Sequence, residues 1–164
     1  MSSRPVPPTD KRRRPAPAAR ARLPALIEAI EHHGGRLTPM REWVLRQLAA
    51  AEGAVSAYDL IERRSAETGR KVGPPTIYRA LEFLEEMGVV DRLVSRNAYV
   101  LCMGPHDHGS GEAVFYHCRS CGRTSEVADP ELGRLIAGHA RTLGFDTERP
   151  TLEVAGRCEA CRKA

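Results

Sequence analysis

Four of the five cysteines stand in two pairs, Cys118 with Cys121 and Cys158 with Cys161, separated by the 36 residues 122–157. A two-residue gap lets both thiolates of a pair reach one tetrahedral ion at about 2.3 Å per bond, and four thiolates close the shell against water and substrate. No other feature constrains the fold as strongly. The gap between the pairs is too long for a compact zinc ribbon, so a strand and a helix must carry the second pair back to the first. Such a site is structural, ties the C-terminus to the first hairpin of its module, and couples folding to metal. A redox CxxC or unrelated buried cysteines are the competing readings. An odd cysteine count in a chain without a secretion signal argues against a disulfide framework.

The 164 residues suit one ordinary domain or two small ones sharing a compact body. With aromatics at only 5%, the expected core is thin, and metal or dimerisation would help it. The net charge of +4 is unevenly spread. Residues 1–22 hold seven of the 25 Lys and Arg and one of the 21 acids, which leaves the rest at −2. A uniformly basic coat is thereby excluded, and DNA contact in the folded part must come from a few placed cations. Five of the twelve prolines also fall in residues 1–22, which read as a disordered basic arm. No apolar run approaches the roughly 20 residues of a membrane span, and the start lacks a secretory pattern, so a cytoplasmic location is expected.

From Leu23 the spacing turns helical, with Leu23, Leu26, Ile27 and Ile30 on one face and Gly34 and Gly35 as the stop. Thr38 and Pro39 predict the N-cap and first residue of a second helix reaching about Ala51. Ser56 and Asp59 form a capping-box-like start for a third, which Gly69 ends. Pro74 and Pro75 open a fourth, with Ile77, Ala80, Leu81 and Leu84 as its apolar stripe, Arg79 nearly opposite and Tyr78 at the flank. Val89–Leu93 and Ala98–Leu101 then read as a hairpin joined through Ser95, Arg96 and Asn97. Helices followed by a hairpin describe a winged helix-turn-helix, whose last helix would enter the major groove. A small bundle that binds no nucleic acid has the same pattern.

The second half is predicted as strand, strand, helix, strand: Val114–Tyr116, Thr124–Val127, a helix capped by Asp129 and opened by Pro130, and Thr151–Val154. The expected fold class is thus α+β. The expected limits are an arm over 1–22, a winged-helix domain over 23–101 and an α/β domain over 102–164. At the junction Cys102 is followed by His106, Asp107 and His108, with Asp91 on the opposite hairpin strand and Glu126 after the first CxxC. Thiolate, imidazole and carboxylate together suit zinc better than an all-oxygen shell. Each residue singly is also what a solvated surface or a buried thiol would present.

Together the segments LTPMREWVLRQL, SAYDLI, PPTIYRALEFLEEMGVVDRL and NAYVLC, then HDH and the two CxxC pairs, resemble the ferric uptake regulator superfamily over about residues 23–164. Within it they most resemble the zinc uptake regulators. The resemblance implies a homodimeric bacterial repressor of zinc-uptake genes that binds double-stranded operator DNA, with an α/β dimerisation domain and zinc as corepressor, two per protomer. It assigns Cys118, Cys121, Cys158 and Cys161 to a structural zinc and Asp91, Cys102, His108 and Glu126 to a regulatory one. Tyr58, Thr76, Tyr78 and Arg79 are the candidate DNA contacts. The loop from Cys102 to Cys118 is longer than in relatives whose HxH directly precedes the CxxC, which leaves His106 as an alternate to His108 and His117 as a weaker candidate. A further site seen in some members has no counterpart, since Arg149, Pro150 and Thr151 stand there. His139 reads as core or surface.

An iron-, manganese- or peroxide-responsive regulator of the same superfamily is the alternative, and Cys102 speaks against it because a hinge of nitrogen and oxygen ligands would then be expected. A zinc hydrolase or deaminase needs an open coordination position and a general acid or base. The HxE and PCxxC pairing of the deaminases is absent. Neither enzyme activity, a small-molecule substrate nor a membrane partner is therefore expected. A scaffold with one structural zinc would keep the four paired cysteines without metal-dependent DNA binding.

Overall fold

The computed structural model describes residues 17–51, 53–102, 113–146 and 152–163. Helix α1 spans Pro17–His32, so it includes Pro17–Arg22, which the sequence reading gives to a disordered arm. The physical reason is propensity: Pro17 is tolerated in a first helical turn, and Ala18, Ala19, Arg20, Ala21 and Arg22 are strong helix formers even though few of them can bury apolar surface. Residues 1–16 lie outside the described set. Helix α2, Pro39–Ala50, starts as expected, with Thr38 as N-cap accepting from the Arg41 N–H. Helix α3, Ala57–Thr68, has a complete capping box, Ser56 Oγ accepting from Asp59 N and Asp59 returning to the Ser56 N–H. It ends on Gly69 at φ +66, where a residue without Cβ is unstrained.

Helix α4, Pro74–Glu86, buries Ile77, Ala80, Leu81 and Leu84, the stripe read from its spacing. Beside it run β2, Val90–Leu93, and β3, Ala98–Leu101, with Asp91 opposite Val100. A strand that the sequence did not signal, β1 at Val55–Ser56, adds to the far edge of β3 to give a sheet ordered β1-β3-β2. Two residues leave no alternation to detect. The core of this half joins α1 to α4 and the hairpin through Leu26, Ile30, Leu45, Leu60, Leu81 and Val89. At roughly 1.5–3 kcal/mol per fully buried aliphatic side chain, this is the main reservoir of apolar stabilisation in the chain.

The second sheet is ordered β5-β4-β6, from β4 (Ala113–Cys118), β5 (Thr124–Ala128) and β6 (Leu152–Gly156). β4 and β5 are antiparallel, whereas β6 returns parallel to β4 after α5, Pro130–Thr142. Asp129 caps α5 as predicted, accepting from the Glu131 and Leu132 N–H groups. A short α6, Glu159–Lys163, follows and was not signalled by the sequence. The two sheets meet where Leu93 and Val100 of the hairpin pack against Phe115 of β4. Among the described residues no helix is long and apolar enough to cross a membrane.

Candidate metal centre

β4 ends at Cys118, and its turn back into β5 is held by Gly122 N–H donating to Cys118 O at 2.9 Å and Cys118 N–H to Arg123 O at 2.8 Å. The parallel β6 brings Gly156 beside Cys118, and Arg119 N–H reaches Gly156 O at 2.8 Å. Cys158 then comes beside both Cys118 and Cys121, and α6 supplies Cys161. The four Sγ atoms all lie within 4.8 Å of one another. Cys121 and Cys158 are 3.7 Å apart, far beyond a disulfide bond and close to the edge of about 3.8 Å that a tetrahedron with 2.3 Å metal–sulfur bonds requires. All five cysteines are free thiols.

The electrostatics also favour thiolate. Cys158 N–H donates to Cys118 Sγ at 3.3 Å, and with the N–H groups of Cys121 and Ser120 it lowers the Cys118 thiol to about 5 against the cost of burial. Cys161 is pushed up to about 12, chiefly because the Cys158 and Cys121 sulfurs hydrogen-bond with its protonated form. A set that shares protons in this way accepts a divalent cation readily, since the cation replaces the protons that the sulfurs share.

A second group gathers where the two sheets meet. Cys102 is fully buried and donates its thiol proton to Asp91 Oδ2 at 3.2 Å. Burial raises its pKa strongly, and the negative charges of Asp91 and Glu126 add to the effect. Glu126 lies on β5 opposite Phe115, near enough for its charge to act on the thiol that Asp91 of β2 contacts directly. Among the described residues only the four paired cysteines close to within 4.8 Å. His106 and His108 fall outside the described residues, as do Arg149, Pro150 and Thr151. His117 is elsewhere: half-buried on β4, its Nδ1 shielded from water without a hydrogen-bond partner among the described residues, its pKa lowered by burial and by the Arg96 charge. His139 is exposed on α5.

Of the candidate DNA contacts, Tyr58 is 65% exposed on α3, and Thr76 and Arg79 are exposed on α4. Tyr78 is half-buried against the core, which makes its ring part of the packing of α4 as well. Sequence reasoning missed the polar residues that join the halves, Ser95, Arg96 and Glu153, because their partners are 26 to 58 positions away.

The family model described as ferric uptake regulator family matches residues 32–155. The chain belongs to the ferric uptake regulator family. Over 127 residues it is 39% identical to the zinc uptake regulation protein of Escherichia coli (strain K12), a match covering 77% of this chain and 72% of that one. A zinc uptake regulator solved with zinc and DNA superposes with a TM-score of 0.79 at 32% identity, covering 88% of this chain and 95% of the other. The holo form of XcZur fits at a TM-score of 0.77 and 37% identity, over 88% of this chain and 99% of that one. The apo form of the same protein fits only at 0.51, with 35% identity over 90% and 99% of the two chains.

Proposed function

We propose that the chain is a zinc-responsive transcriptional repressor that binds operator DNA as a homodimer when its hinge site is filled, and so controls zinc-uptake genes. The observation that carries the reading is the convergence of Cys102, Asp91 and Glu126 from two sheets. One soft thiol among harder oxygen donors favours zinc over manganese or ferrous iron. Likeness to a zinc uptake regulation protein and to a regulator solved with zinc and DNA supports it.

Two zincs per protomer are proposed. Cys118, Cys121, Cys158 and Cys161 hold a structural ion, for which the 3.7 Å sulfur spacing is the fit. Asp91, Cys102, His108 and Glu126 hold the regulatory one, with His106 as the alternate imidazole. Zinc there supplies a charge that four ligands from both halves can share. Asp91 belongs to the winged half, 23–101, whereas Cys102, at the boundary, and Glu126 belong to the dimerisation half, 102–164. Drawing them together restricts how the halves move. The ligands favour the DNA-binding arrangement only by the difference between their affinities in the closed and open forms. Tyr58, Thr76, Tyr78 and Arg79 face the operator, Arg79 as the candidate guanine reader.

The homodimer is supported by apolar side chains that the C-terminal half leaves in water: Tyr116, Val127 and Val154 on its sheet, Leu135 on α5, and Leu143 and Phe145 beyond it. A second copy would cover a surface of this kind. The family consists of transcriptional regulators, and no enzyme activity is proposed.

The test is metal content by elemental analysis combined with operator binding across buffered zinc, iron and manganese. Two zincs per protomer with zinc-dependent binding are expected. One zinc per protomer with DNA binding indifferent to all three metals removes the sensor reading.

A further inference from the structure

The turn that carries Cys121 is also a surface on which the winged half rests. Gly53, between α2 and β1, forms an antiparallel backbone bridge with Arg123. The approach is so close that a methyl group on Gly53 would lie 2.4 Å from the Gly122 carbonyl oxygen and 3.2 Å from its carbon. Both are backbone atoms, so a side chain at 53 has to force the halves apart. Arg96, in the turn between β2 and β3, donates to the same Gly122 carbonyl at 3.5 Å. On the neighbouring strand β6, Glu153 takes two hydrogen bonds from the tip of the hairpin, from Ser95 N–H at 3.3 Å and from Ser95 Oγ at short range. Glu153 is opposite Phe115 in the sheet, directly beside the apolar contact with Leu93 and Val100.

None of these groups is a candidate ligand of the regulatory metal or a candidate DNA contact. We propose that Glu153 and Gly53 are positioning residues of an interdomain clasp, with Ser95 and the Gly122 carbonyl as partners, which biases the winged half toward its DNA-binding orientation before the hinge metal binds. The inference rests on the repressor reading for its consequence in DNA binding, but the clasp itself is geometric. A pre-existing bias lowers the work the hinge ligands must do, because the apparent affinity of a ligand scales with the fraction of protein already in the competent form. It also gives the four-cysteine turn a second role. The turn must be held rigid for Gly122 to serve as an acceptor and Gly53 to pack on it.

The experiment compares full-length wild type with Gly53→Ala, Glu153→Ala, Glu153→Gln and Ser95→Ala. Operator binding by fluorescence anisotropy in buffered zinc and small-angle scattering of the hinge-empty protein are the readouts, with four-cysteine zinc content and dimer mass as controls. Gly53→Ala and Glu153→Ala are expected to need about three- to tenfold more free zinc for half-maximal binding, the range of a lost hydrogen bond or two. Binding at saturating zinc should be nearly restored, a split that general destabilisation would not produce. Glu153→Gln keeps an acceptor for Ser95 N–H and should titrate close to wild type, and Ser95→Ala should fall between. Both large-effect variants should scatter as more extended particles. If Gly53→Ala and Glu153→Ala titrate and scatter like wild type, the clasp is overturned while the repressor reading stands. If wild type ignores zinc, that reading fails, and the scattering comparison alone decides the clasp.

Discussion

The two halves of this chain are held together by different physics. In the winged half Leu26, Ile30, Leu45, Leu60, Leu81 and Leu84 are almost completely removed from water. In the other half the buried apolar side chains described are Cys102, Val114, Phe115, Cys118 and Ala140, while Tyr116, Val127, Leu135 and Val154 remain exposed. A module of roughly 60 residues with so little burial cannot offset its chain entropy by the hydrophobic effect alone. The comparison teaches that one composition can serve two strategies, an apolar core in one half and, in the other, a four-cysteine cluster and an exposed apolar surface on which the proposed zinc and second copy would act.

The largest test of that contrast is Cys161→Ser. Apparent zinc contributions in small zinc peptides reach roughly 10–16 kcal/mol, more than the C-terminal core can replace. This half is expected to lose its metal, its dimer and its amide protection, while the amides of α2 and α4 stay slow in hydrogen exchange. A variant that stays dimeric and melts like the parent would remove the structural-site assignment.

The reciprocal change is Leu81→Ala. Truncation of a fully buried leucine costs about 2–5 kcal/mol, and here the loss should fall on the winged half alone. Thermal unfolding is expected to separate into two transitions, the upper one retaining one zinc per protomer. A single transition shifted as a whole would show that the halves fold as one unit.

Cys102→Ser sharpens the contrast between the two thiol sites rather than breaking either half. It should keep one tightly held zinc and lose zinc-activated DNA binding. The Cys102 pKa is raised by burial and by Asp91 and Glu126, so the thiol is protonated throughout the physiological range and must release its proton to bind metal. Hinge affinity in the wild type is therefore expected to rise with pH, by about tenfold per unit from this one proton between pH 6 and 8. The serine variant should lose that contribution to the slope. Isothermal titration in buffers of different ionisation enthalpy counts the protons. An unchanged count, or repression at the same free zinc, would make Cys102 an ordinary buried thiol.

The smallest effect is expected for Arg79→Ala, with fold and both zincs intact. A bidentate guanine contact is worth about 1–3 kcal/mol of discrimination. Competition against operators changed at one base pair checks it. Equal weakening on all sequences with a salt slope lower by about one would make Arg79 a phosphate contact.

Local signals were legible wherever the partner of a residue lies within about four positions. Thr38 with Arg41, Ser56 with Asp59 and Asp129 with Leu132 are all of that kind, and the structure has each cap where the sequence put it. The α4 stripe was legible because 3.6-residue periodicity repeats over its full length. The start of α1 was misread because proline content and low apolarity argue for disorder, whereas alanine and arginine argue for helix, and composition cannot rank the two. β1 and α6 were too short to display a period at all.

By itself the sequence determined the α+β succession of elements, the residues of the four-thiol set and the face that α4 turns outward. These follow from caps, periodicity and the two-residue reach of a CxxC. Only the tertiary structure decided that the Glu126 charge acts on Cys102, that the Arg96 charge acts on His117, and that Ser95 meets Glu153 across 58 positions. The physical reason is that such encounters depend on how two sheets pack and on which way β6 returns. No local preference of the chain records that choice.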